Sequence, residues 1–274
     1  MEQNDIMQAR KERILSYIRS EAYIPMKRRD LRVMMDVPQG KITVLIGRNG
    51  CGKSSLLKTV SRAVTPRSGR VILRDRPLDA YSPKERARQI AYMGQSMPTV
   101  ADIDVETLVS YGRYPHTVPG RGMTAYDREV IHSAIVQTDL NAIRNRALTT
   151  LSGGELQRVR VAMNLAQEPS VLILDEPTTH LDLGYQLEIL ELLRKLNRTL
   201  GLTVLMVLHD IDLAARYADM IFALCDGRIA TFGTPDEVIT ADHVRTIFGV
   251  ESEILRDEAN GCPYVRPRNC IREE

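Results

Sequence analysis

The segment KITVLIGRNGCGKSSLLKTV, residues 41–60, contains the pattern that decides the fold of this chain. Its first part, residues 41–47, is apolar and rich in β-branched side chains, which predicts a buried strand. Residues 54–64, SSLLKTVSRAV, have the pattern of a helix. Between the two, residues 47–55 match the phosphate-loop pattern GxxxxGK[ST]. A strand, this loop and a helix in that order predict an α/β protein that binds nucleotide phosphates.

The chemistry of this loop follows from its residue types. Glycines let backbone N–H groups curl around phosphates, and the following helix points its positive end at them. Lys53 can reach the β- and γ-phosphates of ATP, and Ser54 can ligate Mg²⁺. The alternative, a glycine turn without function, is disfavoured by the strand before the loop and the helix after it. The predicted nucleotide-binding residues here are Gly47, Arg48, Asn49, Gly50, Cys51, Gly52, Lys53, Ser54 and Ser55.

A second apolar run, VLILDE at residues 171–176, ends in two carboxylates. Asp175 stands where a buried strand meets solvent and can hold the magnesium shell. Glu176 can orient and deprotonate the attacking water, as a general base does. Taken alone, the pair is compatible with a solvated strand end. In the same chain as a phosphate loop, it predicts the metal and catalytic part of an ATPase site.

The stretch LSGGELQR, residues 151–158, resembles the signature sequence of ABC-transporter ATPases and lies just upstream of VLILDE, as in that family. The resemblance covers about residues 31–268. It implies a P-loop NTPase fold with a largely parallel core sheet, an antiparallel β layer and a helical subdomain at about residues 96–165. It also implies that Gln95, in YMGQ, contacts the metal and the attacking water, and that His209, in VLHD, contacts the γ-phosphate. Asp182, in THLD, matches the loop that crosses between subunits.

The signature opens a predicted helix, so it forms another anion-binding N-terminus. Its expected nucleotide-binding residues are Ser152, Gly153, Gly154 and Glu155. One chain would then have two phosphate sites far apart in sequence. The family resemblance implies a head-to-tail dimer in which each ATP is covered by the partner's signature. ATP binding and hydrolysis in that dimer would be transmitted to a membrane permease.

Other segments complete the predicted sheet. Further strands are expected at residues 31–37, 69–73, 89–93 and 203–209, a hairpin at 220–233 and a helix at 184–200. Strands that alternate with helices favour a largely parallel central sheet.

Composition limits the functional classes. The chain has 274 residues, with 37 Lys and Arg against 35 Asp and Glu, a balance that argues against a nucleic-acid-binding surface. No apolar run approaches membrane-spanning length, and the first residues lack the core of a secretory signal. We therefore expect a protein at the cytoplasmic face of the membrane, held there by a permease. The cysteines have no metal-binding spacing and are expected to be reduced thiols.

The transported substrate is suggested only by resemblance. Several segments resemble the ATPases of iron–siderophore importers, a branch that also works with a substrate-binding protein: residues 112–116, 165–169, 175–182, 207–219 and 233–250. ATPases of haem and cobalamin importers are close relatives of that branch and are alternatives. A soluble ABC protein acting on nucleic acid or the ribosome is a different class, but such proteins commonly have two cassettes or a long coiled coil. An inactive regulatory relative is disfavoured because Lys53, Asp175, Glu176 and His209 are all present.

The N-terminus departs from the family pattern. ABC ATPases usually begin with a strand that carries an adenine-stacking aromatic residue. Here residues 8–22 have the pattern of a short amphipathic helix, and residues 1–30 are expected to form an atypical helical segment. Residues 11–35 weakly resemble the start of a ribonuclease R-type winged-helix domain. Tyr23 lies near the expected place of the aromatic ring, but its neighbours favour packing in a helical appendage over adenine stacking. Residues 269–274 are expected to be a tail.

Overall fold

The structure is a computed structural model that describes residues 16–25, 30–95, 103–118 and 120–271. Their strands are β1 (Ser16–Pro25), β2 (Asp30–Pro38), β3 (Ile42–Gly47), β4 (Ser68–Leu73), β5 (Arg76–Pro77), β6 (Ile90–Met93), β7 (Val171–Asp175), β8 (Thr203–Val207), β9 (Met220–Cys225), β10 (Arg228–Gly233), β11 (Val250–Arg256) and β12 (Pro263–Cys270). Their α-helices are α1 (Lys53–Val60), α2 (Pro83–Gln89), α3 (Val105–Ser110), α4 (Ala125–Gln137), α5 (Gly153–Leu165), α6 (Leu183–Leu200), α7 (Ile211–Tyr217), α8 (Pro235–Val238) and α9 (Ala241–Phe248). Short 3-10 segments lie at Leu78–Ala80, Tyr111–His116, Asn141–Ile143 and Leu148–Thr150.

The central sheet has the strand order β10-β9-β3-β8-β7-β6. All of its neighbouring pairs are parallel except β9 and β10, which form the predicted hairpin. Strands β3, β7 and β8 are buried along their whole length. Such strands have both faces covered, which is why they consist of uninterrupted apolar residues in the sequence.

Alternate side chains of the central strands enter two separate cores. On β3, Val44 and Ile46 belong to a core shared with the helices, whereas Leu45 points into a second core beneath the antiparallel strands. On β7, Leu174 belongs to the core shared with the helices, and Ile173 belongs to the second core. The antiparallel layer has the order β2-β1-β4-β5, and β11 and β12 form a separate hairpin. The sheet is thus held between a helical layer and a β layer.

The N-terminal prediction is wrong where the structure can test it. Residues 16–22 of the expected helix belong to β1, which pairs antiparallel with both β2 and β4. Residues 8–15 lie outside the described residues. Two neighbouring strands satisfy the backbone of β1 on both sides, and this tertiary pairing overrides a local helical pattern. A strand between β2 and β4 also gives no support to the winged-helix resemblance.

Two other boundaries differ from the sequence-based expectation. Helix α1 ends at Val60 rather than at residue 64, and Arg62 follows in the left-handed conformation with φ of 65°. The expected tail begins inside β12, whose pairing with β11 the sequence analysis did not predict. This hairpin is largely exposed, so its strands lack the apolar alternation that marks a half-buried sheet. In the part of the chain that the structure describes, no helix is long and apolar enough to cross a membrane.

Candidate active site

The predicted site residues gather at one edge of the central sheet. Gly47 ends β3 and Asp175 ends β7, while Gln95 follows β6 and His209 follows β8. These strands are parallel neighbours, so their carboxyl ends lie along the same edge. The order of the strands therefore brings together residues that are up to 162 positions apart in sequence. Open α/β sheets bind their ligands at this edge.

The phosphate loop requires glycine at its first position. Gly47 has φ of 145°, and a Cβ there would stand 2.2 Å from the carbonyl oxygen of Leu224 on the neighbouring strand. Gly50 and Gly52 also have positive φ, at 79° and 110°, and Gly52 is the N-cap of α1. These conformations are readily available only to glycine. They turn the chain from β3 into α1 within a few residues.

Lys53 is held within this loop. Its side chain is buried, and Nζ donates to the carbonyl oxygens of Gly47 at 2.8 Å and Arg48 at 3.0 Å. Of the other predicted loop residues, Arg48, Asn49 and Gly50 are exposed, whereas Ser54 and Ser55 are half-buried. The ammonium group thus lies inside the curve of the loop, where phosphate oxygens would meet a positive charge.

Cys51 precedes the N-terminus of α1, a position that usually lowers the pKa of a thiol. It is buried, and burial raises the pKa of its thiol above the usual value, although the nearby Lys53 ammonium acts in the opposite direction. Desolvation disfavours the thiolate more strongly than the lysine charge favours it. Cys51 is therefore a neutral thiol packed behind the loop.

Asp175 joins the phosphate loop to two neighbouring strands. Its side chain is 2% exposed, and Oδ1 accepts a hydrogen bond of 2.8 Å from the Ser54 hydroxyl. Oδ2 accepts a hydrogen bond of 3.3 Å from the hydroxyl of Tyr92 on β6. Burial, with Asp175 adding to it, raises the pKa of Tyr92, so the phenol stays protonated as a donor. The sequence analysis missed Tyr92, although it lies in the quoted segment YMGQ.

Glu176 is the best-connected side chain of the site. Its Oε1 lies 2.5 Å from His209 Nε2, and its Oε2 accepts hydrogen bonds from Gln95 Nε2 and, at 3.0 Å, from the Thr179 hydroxyl. Burial would raise the pKa of Glu176, but the hydrogen bonds from Gln95, His209 and Thr179 together lower it below its usual value. The carboxylate is therefore ionised and held in one orientation, two properties that a general base requires. Thr179 is a second contributor that the sequence analysis missed.

The backbone of Glu176 is also unusual. Its φ is 56°, in the left-handed region that residues other than glycine rarely adopt. Such a conformation costs free energy and persists only where its surroundings fix it, which is common at active sites.

The signature residues are arranged as a helix N-cap. Ser152 Oγ accepts from the backbone N–H of Glu155 at 3.2 Å, and the Glu155 carboxylate accepts from the N–H of Ser152 at 2.7 Å. That N–H group is the main reason why the pKa of Glu155 is lowered. Gly154 cannot have a side chain, because a Cβ would stand 2.2 Å from the ring of Tyr185 on α6. Asp182 caps α6 by accepting from Tyr185 N–H at 3.0 Å.

Within one chain the structure does not join the signature to the phosphate loop. The described hydrogen bonds of the Ser152 and Glu155 side chains go to each other and to Arg146, on their own side of the molecule. Ser152, Gly153, Gly154 and Glu155 thus lie at a separate helix N-terminus, and Asp182 caps α6. The other predicted site residues lie at the edge of the sheet described above.

A phosphate loop, an aspartate that ends the next-but-one strand and a fixed glutamate beside it define a P-loop nucleoside triphosphatase. The family model described as "ABC transporter" matches residues 31–179. The chain belongs to the ABC-transporter ATP-binding family, and its reaction is ATP hydrolysis.

Relatives of known name agree with this assignment. The chain is 42% identical over 233 residues to the ferric enterobactin transport ATP-binding protein of Escherichia coli (strain K12), covering 85% of this chain and 86% of that protein. It is 41% identical to the probable siderophore transport system ATP-binding protein of Bacillus subtilis (strain 168), covering 88% of each. The hemin import ATP-binding protein of Shewanella denitrificans is 36% identical and covers 85% of this chain and 92% of its own length.

Solved structures show the same fold. An inward-facing conformation of a putative metal-chelate type ABC transporter matches with a TM-score of 0.80 over 93% of this chain and 98% of its own, at 23% identity. The dimeric, post-hydrolysis ATP-binding cassette MJ0796, bound to ADP and Pi, matches with a TM-score of 0.67 at 25% identity, covering 79% and 98%. The predicted fold class, an ABC ATPase cassette, is confirmed.

Proposed function

We propose that the chain is the ATPase subunit of an importer for iron–siderophore complexes, with Glu176 as its general base. The observation that supports the catalytic part is the Glu176 carboxylate, ionised and held by Gln95, His209 and Thr179 beside Asp175. Such a carboxylate can accept a proton from a water molecule that attacks the γ-phosphorus. The bond to the bridging oxygen of ADP then breaks, and phosphate leaves.

The proposed substrate follows from the relatives. The two most similar proteins described above transport ferric enterobactin and siderophores, at 42% and 41% identity, whereas the hemin importer subunit is 36% identical. Haem or cobalamin import remains the alternative. ATPase subunits do not contact the transported substrate in this family, so none of the site geometry distinguishes these substrates.

The residues at the end of β7 fit a magnesium ion. Ser54 and Asp175 present a hydroxyl and a carboxylate 2.8 Å apart, both hard oxygen ligands. Mg²⁺ in nucleotide sites usually takes one or two carboxylates plus substrate phosphates, so a cage of several acidic residues is not needed. We therefore propose Ser54 and Asp175 as its ligands, with Gln95 at its edge. Bound there, the ion would neutralise charge on the β- and γ-phosphates.

The phosphate-binding residues imply a dimer. Lys53 and the phosphate loop lie in one cluster, and the N-terminus of α5 at Ser152 and Gly153 lies in another. In a head-to-tail dimer the signature and Asp182 of one copy would approach the ATP on the other. The dimeric MJ0796 cassette with ADP and Pi supports this arrangement. Lys53 would stabilise the γ-phosphate from one side, and His209 would contact it from the catalytic side.

Three tyrosines on the helical side are exposed: Tyr111, Tyr114 and Tyr126 have 50%, 79% and 57% of their surface accessible. The ring of Tyr126 lies against the buried guanidinium of Arg113, 5.7 Å from its centroid. Exposed aromatic groups of this kind mark protein interaction sites. We propose that polytopic permease subunits dock here, holding the chain at the cytoplasmic face of the membrane, with a substrate-binding protein acting on the other side.

Uptake measurements test the proposal. A strain that lacks the chain should lose accumulation of radioactive iron supplied as a siderophore complex, and wild-type protein should restore it. Glu176→Gln should not restore it. Preserved iron–siderophore uptake together with lost haem or cobalamin uptake would contradict the proposed substrate.

Co-purification tests the partner. The tagged chain should retain a polytopic membrane protein in mild detergent, whereas retention of ribosomes or nucleic acid instead would support a soluble ABC protein.

A further inference from the structure

Two side chains of α5 form hydrogen bonds to the two loops that carry Gln95 and Glu176. Arg160 Nη2 donates to the carbonyl oxygen of Gly94, and Arg160 Nη1 donates to Gln157 Oε1 at 2.9 Å. Gln157 Nε2 in turn donates to the carbonyl oxygen of Pro177 at 2.6 Å. Gln157 is only 8% exposed, so these hydrogen bonds are shielded from water. We name this pair, Gln157 and Arg160, the α5 clamp.

The acceptors of the clamp are next to catalytic residues in the chain. The carbonyl of Gly94 belongs to the same planar peptide as the N–H of Gln95. A hydrogen bond to that oxygen therefore restrains the backbone position of Gln95. Pro177 directly follows Glu176. Because Gln95 also donates to the Glu176 carboxylate, the contacts close a ring that passes through both loops and α5. Movement of α5 therefore moves Gln95 and Glu176 together.

The strained conformation of Glu176 explains why such a clamp is useful. Its φ of 56° needs outside support, and one described turn bond runs from Thr179 N–H to the Glu176 carbonyl at 3.3 Å. Gln157 adds a short hydrogen bond one residue further on, to the carbonyl of the Pro177–Thr178 peptide. The clamp thus restrains the turn that follows Glu176.

The side chain of Arg160 lowers the stability of the folded state. Its Nε is buried and has no hydrogen-bond partner among the described residues. A buried donor without a partner destabilises the folded state. An apolar side chain would fill the same space without that cost, so the arginine has another use here.

We infer that Gln157 and Arg160 are positioning residues for ATP hydrolysis, holding Gln95 against Glu176 and linking both to the signature helix. The inference rests on the proposed role of Glu176 as general base. The clamp touches neither the phosphate loop nor Asp175 in the described contacts, so it should affect the chemical step and leave nucleotide binding intact.

Steady-state kinetics of the purified full chain test the inference. Arg160→Met and Gln157→Met should each lower kcat by about tenfold, because a hydrogen-bonded connection to a charged group is lost. The KM for ATP should stay within about twofold. The double variant should be no slower than the worse single variant, because both break one ring.

Controls separate the possible outcomes. Arg194→Met removes an arginine that pairs with Glu191 on α6, and neither kcat nor KM should change. Arg160→Lys replaces Arg160→Met if the latter does not fold; it keeps the charge but cannot reach both acceptors, so kcat should still fall. Normal kcat in folded clamp variants, or a loss that appears in KM rather than in kcat, would overturn the inference. Near-normal turnover of Glu176→Gln, measured in parallel, would instead overturn the proposed base.

Discussion

At the residue scale, the hydroxyl groups of Tyr92 and Thr179 donate to the two carboxylates of the candidate site, Asp175 and Glu176. Lys53, Asp175 and Glu176 lie in short motifs whose chemistry is readable from residue type and spacing. Tyr92 and Thr179 were missed because a tyrosine in a strand and a threonine in a loop have no chemical signature of their own. Only the pairing of β6 with β7 and the turn after Glu176 bring them to the carboxylates.

The support from Thr179 leads to a prediction about pH. The three hydrogen bonds lower the pKa of Glu176, so the base stays ionised and kcat should be lost only as pH falls through that lowered value. Thr179→Val removes one donor at nearly constant volume, and the acid limb of the kcat profile should move to higher pH. Thr178→Val is the matched control, because its hydroxyl makes no described bond to Glu176. An acid limb at the same pH in both variants would contradict the account.

Cys51 gives a second prediction at this scale. Because burial raises its thiol pKa, alkylation by iodoacetamide should be slow at neutral pH and accelerate as pH rises. The adduct should abolish ATP hydrolysis by filling the space behind the loop, and bound Mg-ATP should protect. Cys51→Ala is the control for labelling of the other free cysteines, Cys225, Cys262 and Cys270, and its activity should survive the reagent. Full turnover by protein shown by mass spectrometry to be labelled at Cys51 would contradict this packing.

At the element scale, the long apolar strands and the hairpin were predictable and the first strand was not. Strands β3, β7 and β8 are buried on both faces, so their sequences contain no helical pattern to confuse the prediction. Strand β1 instead has charged and apolar residues mixed in a way that also fits a helix. Its structure is decided by pairing with β2 and with β4, which is distant in sequence, and local propensity contains no information about that pairing.

Strand β1 changes the expectation for Tyr23. The residue lies near the end of a strand, paired with Arg32 and Ser68 in the backbone register, so the helical reason for expecting simple packing is gone. We now expect Tyr23 to stack on adenine. Tyr23→Ala should weaken ATP binding about tenfold to a hundredfold, because stacking on a base contributes about 1–3 kcal/mol.

Calorimetric titration with ATP and with inorganic triphosphate measures this effect. Triphosphate binding should not change, since its contacts come from the phosphate loop. A lowered melting temperature with unchanged ATP affinity would contradict stacking and restore the packing interpretation.

A buried ion-pair network stabilises the helical part. Arg113 is 1% exposed, and it pairs with Asp127 at 2.9 Å and Glu168 at 2.6 Å while donating to the carbonyl of Ala166 at 2.8 Å. These contacts tie the 3-10 segment Tyr111–His116 to α4 and to the end of α5. Arg113→Met should lower the free energy of unfolding by about 3–5 kcal/mol, because buried carboxylates lose their partner. Urea denaturation measures the loss, and a change below about 1 kcal/mol would contradict it.

The same network gives stability a pH dependence. Hydrogen bonds from Thr124, and then the contact with Arg113, lower the pKa of Asp127 to about 2. Its stabilising contribution is therefore complete above the unfolded pKa of about 3.9 and is lost as pH falls toward 2. In Arg113→Met part of this acid sensitivity should disappear.

At the scale of the whole molecule, the catalytic cluster and the signature residues are two separate groups. No described hydrogen bond within one chain joins them. The described hydrogen bonds of the Ser152 and Glu155 side chains are formed at the N-terminus of their own helix. None of these bonds joins them to Lys53 or Ser54. Binding of ATP between two copies would complete both sites at once. In the proposed dimer, hydrolysis would therefore depend on association of the two copies.

The most direct test of this account is the association state of Glu176→Gln with Mg-ATP. Glutamine keeps the shape of the side chain but cannot accept the proton, so ATP should bind, turnover should fall to near background and a stable ATP-bound dimer should accumulate. Light scattering coupled to size-exclusion chromatography would detect it as a doubling of the monomer mass, which is 30.9 kDa. Wild-type protein should dimerise only transiently as it hydrolyses ATP. Near-normal turnover by Glu176→Gln, or an ATP-bound variant that stays monomeric, would contradict the central claim.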